Sequence, residues 1–346
     1  MNGLESRSLI GQDPVFLEVL EHVSRLGSLN RPVLVLGERG TGKELIAARL
    51  HYLSRRWDQP FVKLNCAALP ETLLETELFG HEAGAFTGAT RRHRGRFERA
   101  AGGSLFLDEI ASMSMRVQEK LLRVIEYGEF ERVGGTQTLQ ADVRIIAAAN
   151  VDLPSLAREG KFREDLLDRL SFDVVTLPPL RARQEDIPVL AEHFALGMVR
   201  ELGRDYFPGF SDGALEAMRR WPWPGNVREL KNVIERAVYK SEEGRPVESL
   251  DFDPFDSPWR LGTPASSAVA REKAAKQTAE EGPDPAAGPY DFKAEVERLE
   301  RRLLEEALRA NRFNQRRTAE YLGLTYHQLR GYLRKYELLS APRTPE

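Results

Sequence analysis

The sequence predicts an α/β fold, a parallel sheet flanked by helices, followed by an α-helical lid subdomain and then an all-α tail with a helix-turn-helix. Three observations carry this. Short, unbroken apolar runs such as Val33–Leu36 and Leu105–Leu107, the second ending in paired carboxylates, have the pattern of strands buried on both faces of a parallel sheet. The first run leads directly into the glycine-rich octapeptide Gly37–Glu44, GERGTGKE. From Glu185 onward the apolar spacing is helical rather than alternating. A chain of 346 residues, 41% hydrophobic and 30% charged, has room for two or three compact units. The boundaries expected are 1–180 for the α/β part, 181–253 for the lid, 254–290 for a linker and 291–346 for the tail domain.

Taken in order, residues 14–28 form a helix with Asp13 as cap, Pro14 in its first turn, and Val15, Val19, Val23 and Leu26 on one face. Pro32–Leu36 is the first strand. Its octapeptide has the strand, glycine loop, lysine and helix order of a phosphate cradle. Gly37, Gly40 and Gly42 free the backbone to turn N–H groups toward phosphate oxygens, Glu38 and Thr41 lie within the loop, and Lys43 can reach the terminal phosphates. Glu44 stands where such loops carry a Ser or Thr hydroxyl for magnesium, so more of the coordination falls to water and distant carboxylates.

Phe61–Cys66 is the second strand, bringing Asn65 to the ligand-binding carboxyl edge. Gly103–Ile110 is a third, and its end supplies Asp108 to hold Mg²⁺ and Glu109 to deprotonate a water. Between them, Glu77–Ala89 reads ELFGHEAGAFTGA, with Gly80, Gly84 and Gly88 bracketing Phe86 and Thr87. Neither helical nor strand period fits that stretch, so it is a loop whose Phe86 is either an apolar tip or folded into the core.

A helix from Ser114 breaks at Gly128, with Val117, Leu121, Val124 and Ile125 on one face. Phe130–Thr136 is a second glycine-ended loop, and Val143–Asn150 a strand whose Asn150 amide can sense phosphate. Phe172–Leu177 is the last strand. Arg163 and Arg169, on the intervening helix, are surface residues by spacing alone. In the lid, Gly225–Asn226 starts a helix and Arg228 occupies its first turn, where a cation opposes the helix dipole and so suits a partner anion.

Residues 254–290, rich in Pro, Ala, Ser and Gly, have the composition of a linker. The helix 292–311 carries Val296, Leu299, Leu303, Leu304 and Leu308 as a stripe for dimerisation or core. Two short helices follow around Gly323–Thr325. Lys293–Lys335 holds 11 Lys/Arg against 6 Asp/Glu in a chain of net charge -3, so contact with nucleic acid is local to this segment. Arg316, Arg317, Thr325, Tyr326, His327, Gln328, Arg330, Arg334 and Lys335 are the donors placed to meet a major groove. The single cysteine, Cys66, excludes a disulfide framework or cysteine zinc site and fits a reducing cytoplasm. No apolar run is long enough to insert in a membrane, and the N-terminus lacks an export signal.

These motifs resemble the bacterial enhancer-binding AAA+ activators of sigma-54 RNA polymerase over nearly the whole chain. GAFTGA at Gly84–Ala89 is the most diagnostic, and GERGTGKE supports it, with Glu44 normal for that family. The resemblance implies an AAA+ P-loop ATPase using ATP and Mg²⁺, and a Fis-type DNA-binding domain. Gly84, Ala85, Phe86, Thr87, Gly88 and Ala89 would contact sigma-54, with Arg132–Gly135 moving beside them. Asn65 would restrain the catalytic Glu109, and Asn150 would lie in the first sensor segment. Arg228 would be the second sensor. Arg163 and Arg169 would be arginine fingers acting across subunits of a homo-hexamer, which reverses their surface reading. Enhancer DNA and sigma-54 RNA polymerase are the partners implied. With the ATPase motifs so near residue 1, control is expected from a separate negative regulator. Trp57, in RRWDQ, is a candidate contact for it or a cap on the core. Two rival readings are a DNA-binding regulator whose ATPase serves only assembly, and another AAA+ remodelling ATPase.

Overall fold

The computed structural model describes residues 9–255, 292–311, 314–336 and 338. Residues 256–290 of the expected linker lie outside the described residues. The chain divides into two compact units, Met1–Asp256 and Ser257–Glu346.

In the first unit the elements run α1 (Pro14–Gly27), β1 (Val33–Leu36), α2 (Lys43–Tyr52), β2 (Phe61–Asn65), α3 (Glu71–Phe79), α4 (Arg96–Arg99), β3 (Ser104–Asp108), α5 (Met115–Tyr127), β4 (Glu129–Glu131), β5 (Thr138–Gln140), β6 (Arg144–Ala149), α6 (Leu153–Arg158), α7 (Glu164–Leu170) and β7 (Val174–Thr176). Five strands make one sheet in the order β2-β3-β6-β1-β7, and every pairing in it is parallel. Alternate residues feed opposite layers, as the two-residue period of a strand requires. Leu34, Leu105, Leu107, Ile145 and Ala147 pack with Leu74 and Leu78 of α3 and Val117 and Leu121 of α5. Val33, Val35, Phe106, Ile146 and Ala148 pack with Phe16 of α1 and Ile46 and Leu50 of α2. Both faces being covered explains why the strands are continuous apolar runs.

The register aligns Leu36 with Ala149 and Asn65 with Asp108. Strand ends, glycine loop and paired carboxylates therefore open at one edge of the sheet. At the opposite edge stands Arg144, only 3% exposed. Its guanidinium donates to the carbonyls of Leu26, Gly27, Leu50 and Arg31, the first three from the C-terminal ends of α1 and α2, where the helix dipole favours a cation.

The face of α1 is rotated from the expected one. Val15 is exposed, whereas Phe16, Val23 and Leu26 are buried. Asp13 fixes the start by accepting from the Val15 N–H, which turns the larger Phe16 ring inward, under the guanidinium of Arg183 at 4.6 Å. The stretch after Gly128 is a two-stranded antiparallel hairpin, β4 with β5, where only a loop was expected.

The lid packs α8 (Asp186–Glu201), α9 (Asp212–Arg220) and α10 (Asn226–Lys240) around the fully buried Trp223. In the second unit α11 (Phe292–Ala310), α12 (Gln315–Tyr321) and α13 (Tyr326–Lys335) enclose Leu304, Leu308, Ala319, Leu329 and Leu333. The apolar stripe of α11 is thus divided. Leu304 and Leu308 are core, and Leu299 and Leu303 are exposed.

Candidate functional site

The glycine loop adopts the backbone its composition permits. Gly40 and Gly42 have φ of 79° and 101°, a region closed to most side chains. At Gly40 a Cβ would also meet the carbonyl oxygen of Gly225 at 2.2 Å, so the lid sits directly on the loop. The Lys43 ammonium is held by the carbonyls of Gly37 at 2.8 Å and Glu38 at 3.1 Å. Burial lowers its pKa, and Asp108 and Glu109 act in the opposite sense. Thr41 donates its hydroxyl to the Glu38 carbonyl.

Across from the loop, burial raises the Asp108 pKa, while the Glu109 N–H and Lys43 work against that rise. The Asp108 carboxylate accepts from that N–H at 2.9 Å. Glu109 has φ 54°, a left-handed backbone that costs a non-glycine residue roughly 1–2 kcal/mol. Among the described residues no cluster of three or more His, Cys, Asp or Glu is placed to hold a metal. A Mg²⁺ at Asp108 would accordingly complete its shell with water and phosphate oxygens. Glu44, beside Lys43, is turned aside to Lys63 at 2.8 Å.

Asn65 reaches the same edge but does not touch Glu109 here, since its side chain accepts from the Ala67 N–H. Asn150 follows β6 at the edge, partly buried. Arg163 is paired with Asp165, two residues on in its own chain, and Arg169 with Glu126. Arg228 is exposed in the first turn of α10. Of these, the sheet brings Lys43, Asp108 and Glu109 together, and leaves Arg163 and Arg169 on the surface.

One cluster was not legible in the sequence. Glu38 is gripped by both Nη atoms of Arg181 and by the Asn226 amide, which hold its pKa down at about 2. It therefore faces the lid rather than the phosphate position. Arg183, 2% exposed, donates to the Thr41 carbonyl and sits 3.7 Å from Asp186. Only the polar run RARQED between Leu180 and Ile187 hinted at it.

The loop Gly84–Ala89 is closed by backbone bonds, Gly84 N–H to the Ala89 carbonyl at 2.7 Å and Ala89 N–H to that of Phe86 at 3.0 Å. Gly84 and Gly88 have φ of 82° and 99°. Phe86 is 45% exposed, its ring edge-on to His81 at 5.0 Å, so it leans on the stem and stays out of the core. Thr87 is exposed and Ala85 and Ala89 are not. The second loop is bolted to this stem. Val133 exchanges backbone bonds with Gly80 and Glu82, and buried Arg132 binds Glu82 and Glu98 together.

In the helix-turn-helix, Arg316, Arg317, Thr325, Tyr326, His327, Gln328, Arg330, Arg334 and Lys335 are all exposed. Four of them are already engaged, Tyr326 by donating its hydroxyl to Gln315 at 3.5 Å. Thr325 and Gln328 form a reciprocal capping box at the start of α13, and Lys335 pairs with Glu300. Cys66 is buried, its thiol pKa pushed up by burial. No described helix is long and apolar enough to cross a membrane.

Fold and site define an AAA+ ATP-binding module joined to a DNA-binding helical unit. Residues 9–176 match the Sigma-54 interaction domain, residues 181–255 the AAA+ ATPase lid domain, and residues 295–336 the bacterial regulatory protein, Fis family. The chain is 54% identical over 332 residues to the Psp operon transcriptional activator of Escherichia coli (strain K12), covering 96% of this chain and 98% of that one. It is 54% identical over 254 residues to a Nif-specific regulatory protein of Azotobacter vinelandii, covering 72% and 48%. The crystal structure of NtrX from Brucella abortus in complex with ATP superposes with a TM-score of 0.67 at 31% identity, covering 95% of this chain and 70% of that one. The chain therefore belongs to the sigma-54-dependent enhancer-binding activator family.

Proposed function

We propose that the protein is an ATPase that assembles as a homo-hexamer, is held near promoters by enhancer DNA, and remodels sigma-54 RNA polymerase from the closed to the open promoter complex. The observation that carries this is the placement of Lys43, Asp108 and Glu109 at one sheet edge, in a subdomain whose exposed Phe86–Thr87 loop is tied to a second loop through Arg132.

Gly37, Glu38, Gly40, Thr41, Gly42, Lys43 and Glu44 form the ATP phosphate loop, with Asn150 and Arg228 sensing phosphate. Asp108 would hold Mg²⁺, which would supply charge neutralisation for the bound phosphates. Glu109 accepts the proton of the attacking water, and Asn65 restrains it between turnovers. Arg163 and Arg169 release their intrachain carboxylates and reach a neighbouring subunit's ATP, as charge stabilisation in trans requires. Gly84–Ala89 then contacts sigma-54. The activity is cytoplasmic and serves phage shock genes, with phage shock protein A as negative regulator. Trp57, 63% exposed, is its contact.

The test is ATP-dependent open-complex formation with purified sigma-54 polymerase. Wild-type protein is expected to form open complexes with ATP, and Thr87→Ala to hydrolyse ATP at a wild-type rate without forming them. Normal activation by Thr87→Ala would overturn the loop assignment.

A further inference from the structure

We infer that Asn226 is a positioning residue that couples the conformation of the phosphate loop to the orientation of the lid, so that nucleotide binding at residues 37–44 moves α10. This deepens the proposed ATP-binding reading and rests on it. Asn226 is fully buried at the first position of α10, with a left-handed φ of 52°. An L-residue occupies that region at a cost, and Asn is among the few that tolerate it.

Its side chain has three partners on two separate segments. Oδ1 accepts from the Leu180 N–H at 2.8 Å, where the lid begins. Nδ2 donates to Glu38 Oε2 at 3.0 Å and to the Arg39 carbonyl at 3.0 Å, both in the glycine loop. The adjoining backbone repeats the link, since the Val227 N–H donates to the Gly40 carbonyl at 3.0 Å. The bare face of Gly40 lies against Gly225.

Loop residues 38–40 and the start of α10 therefore cannot shift independently. Arg228 lies two residues past Asn226 on the same first turn. Any rearrangement of the loop around phosphates is transmitted through the buried Asn226 amide and the Val227 N–H to the helix that carries that arginine. Arg183, donating to the Thr41 carbonyl at 3.2 Å, supports the same joint from the opposite side of the loop.

The experiment uses the full chain with cysteines placed at exposed Glu18 and Arg219 for distance-reporting labels, Cys66 being buried. Wild-type protein is expected to bind ATP and change the label distance. Asn226→Asp keeps the backbone preference and the Leu180 bond but turns an oxygen toward the Glu38 carboxylate. It is expected to weaken nucleotide binding about tenfold, within the usual range of coupling between sites, and to abolish the distance change. Adding Glu38→Gln restores one donor facing one acceptor, with a single carboxylate left for Arg181, and is expected to recover both readouts.

An Asn226→Asp protein with unchanged affinity and distance response would overturn the inference, as would a double variant no better than the single one. If Asn226→Asp does not fold, Glu38→Ala, on a part-exposed side chain, is expected to lower affinity about fivefold and blunt the distance change. No effect there would equally overturn it. A wild-type chain that failed to bind ATP would remove the ATPase reading itself, a result distinct from wild-type binding with an indifferent Asn226→Asp.

Discussion

The two edges of the central sheet treat buried charge in opposite ways. At the edge away from the glycine loop, Arg144 is enclosed by four carbonyls with no carboxylate beside it, and burial lowers its pKa to about 10. At the loop edge, Lys43 has only two carbonyls, and burial pushes its pKa and that of Asp108 toward their neutral forms. The first arrangement is saturated and the second is left with capacity. Saturation stabilises a fold. Spare capacity, together with the left-handed Glu109, is where a ligand can be received.

The largest effect expected is on the saturated edge. Arg144→Ala leaves the carbonyls of Gly27 and Leu50 without their donor in a buried place, whereas the Leu26 carbonyl keeps the Leu29 N–H. At about 1–3 kcal/mol for an unsatisfied buried group, partly relieved by water, the loss should total about 3–5 kcal/mol. Denaturant unfolding checks it. A loss under about 1 kcal/mol would show that this edge is no more committed than the other.

The loop edge should respond in the opposite sense. Asp108→Asn removes a carboxylate that burial disfavours, so the melting temperature should rise. ATP turnover should fall by about a hundredfold or more, the usual scale for a lost transition-state contact. Calorimetry and a phosphate-release assay on the same protein separate the two. A variant that lost stability and activity together would mean that Asp108 serves the fold.

A smaller effect sharpens the contrast through pH. The Glu38 pKa is lowered from 4.5 to about 2 by Arg181 and Asn226. A depressed carboxylate contributes stability that is fully present above the unfolded value and is lost as pH falls from about 4.5 toward about 2. Glu38→Gln should therefore flatten the acid limb of the stability curve in that window and leave the curve's shape near neutrality unchanged. An acid limb identical to wild type would place the titration elsewhere.

The fold was largely legible because its strands are buried on both faces, which writes continuous apolar runs such as Val33–Leu36 into the chain. Glycines at positive φ marked both the phosphate loop and Gly84–Gly88. The rotated face of α1 was not legible, since Val15 and Phe16 are both apolar and only packing against Arg183 selects between them. Neither was the Glu38–Arg181–Asn226 cluster. Its members are 143 and 188 residues apart from Glu38, and nothing local in a polar residue announces so distant a partner. The hairpin after Gly128 was hidden because strands of three residues are too short to establish a period.

The smallest effect concerns Arg163, which spacing alone put on the surface and the family resemblance makes an arginine finger. Its pairing with Asp165 at 2.7 Å is largely exposed on the carboxylate side, and such pairs contribute roughly 0–1 kcal/mol. Asp165→Asn should therefore change stability by less than about 0.5 kcal/mol. Yet if Asp165 is the resting partner of a finger, releasing Arg163 should raise ATP turnover in the assembled protein, by about twofold for a pair of this strength, and leave turnover unchanged at dilutions where subunits separate. Arg163→Ala should abolish the concentration-dependent part of the activity altogether. Turnover of Arg163→Ala that still rose with protein concentration as wild type does would return Arg163 to the surface role that its spacing first suggested.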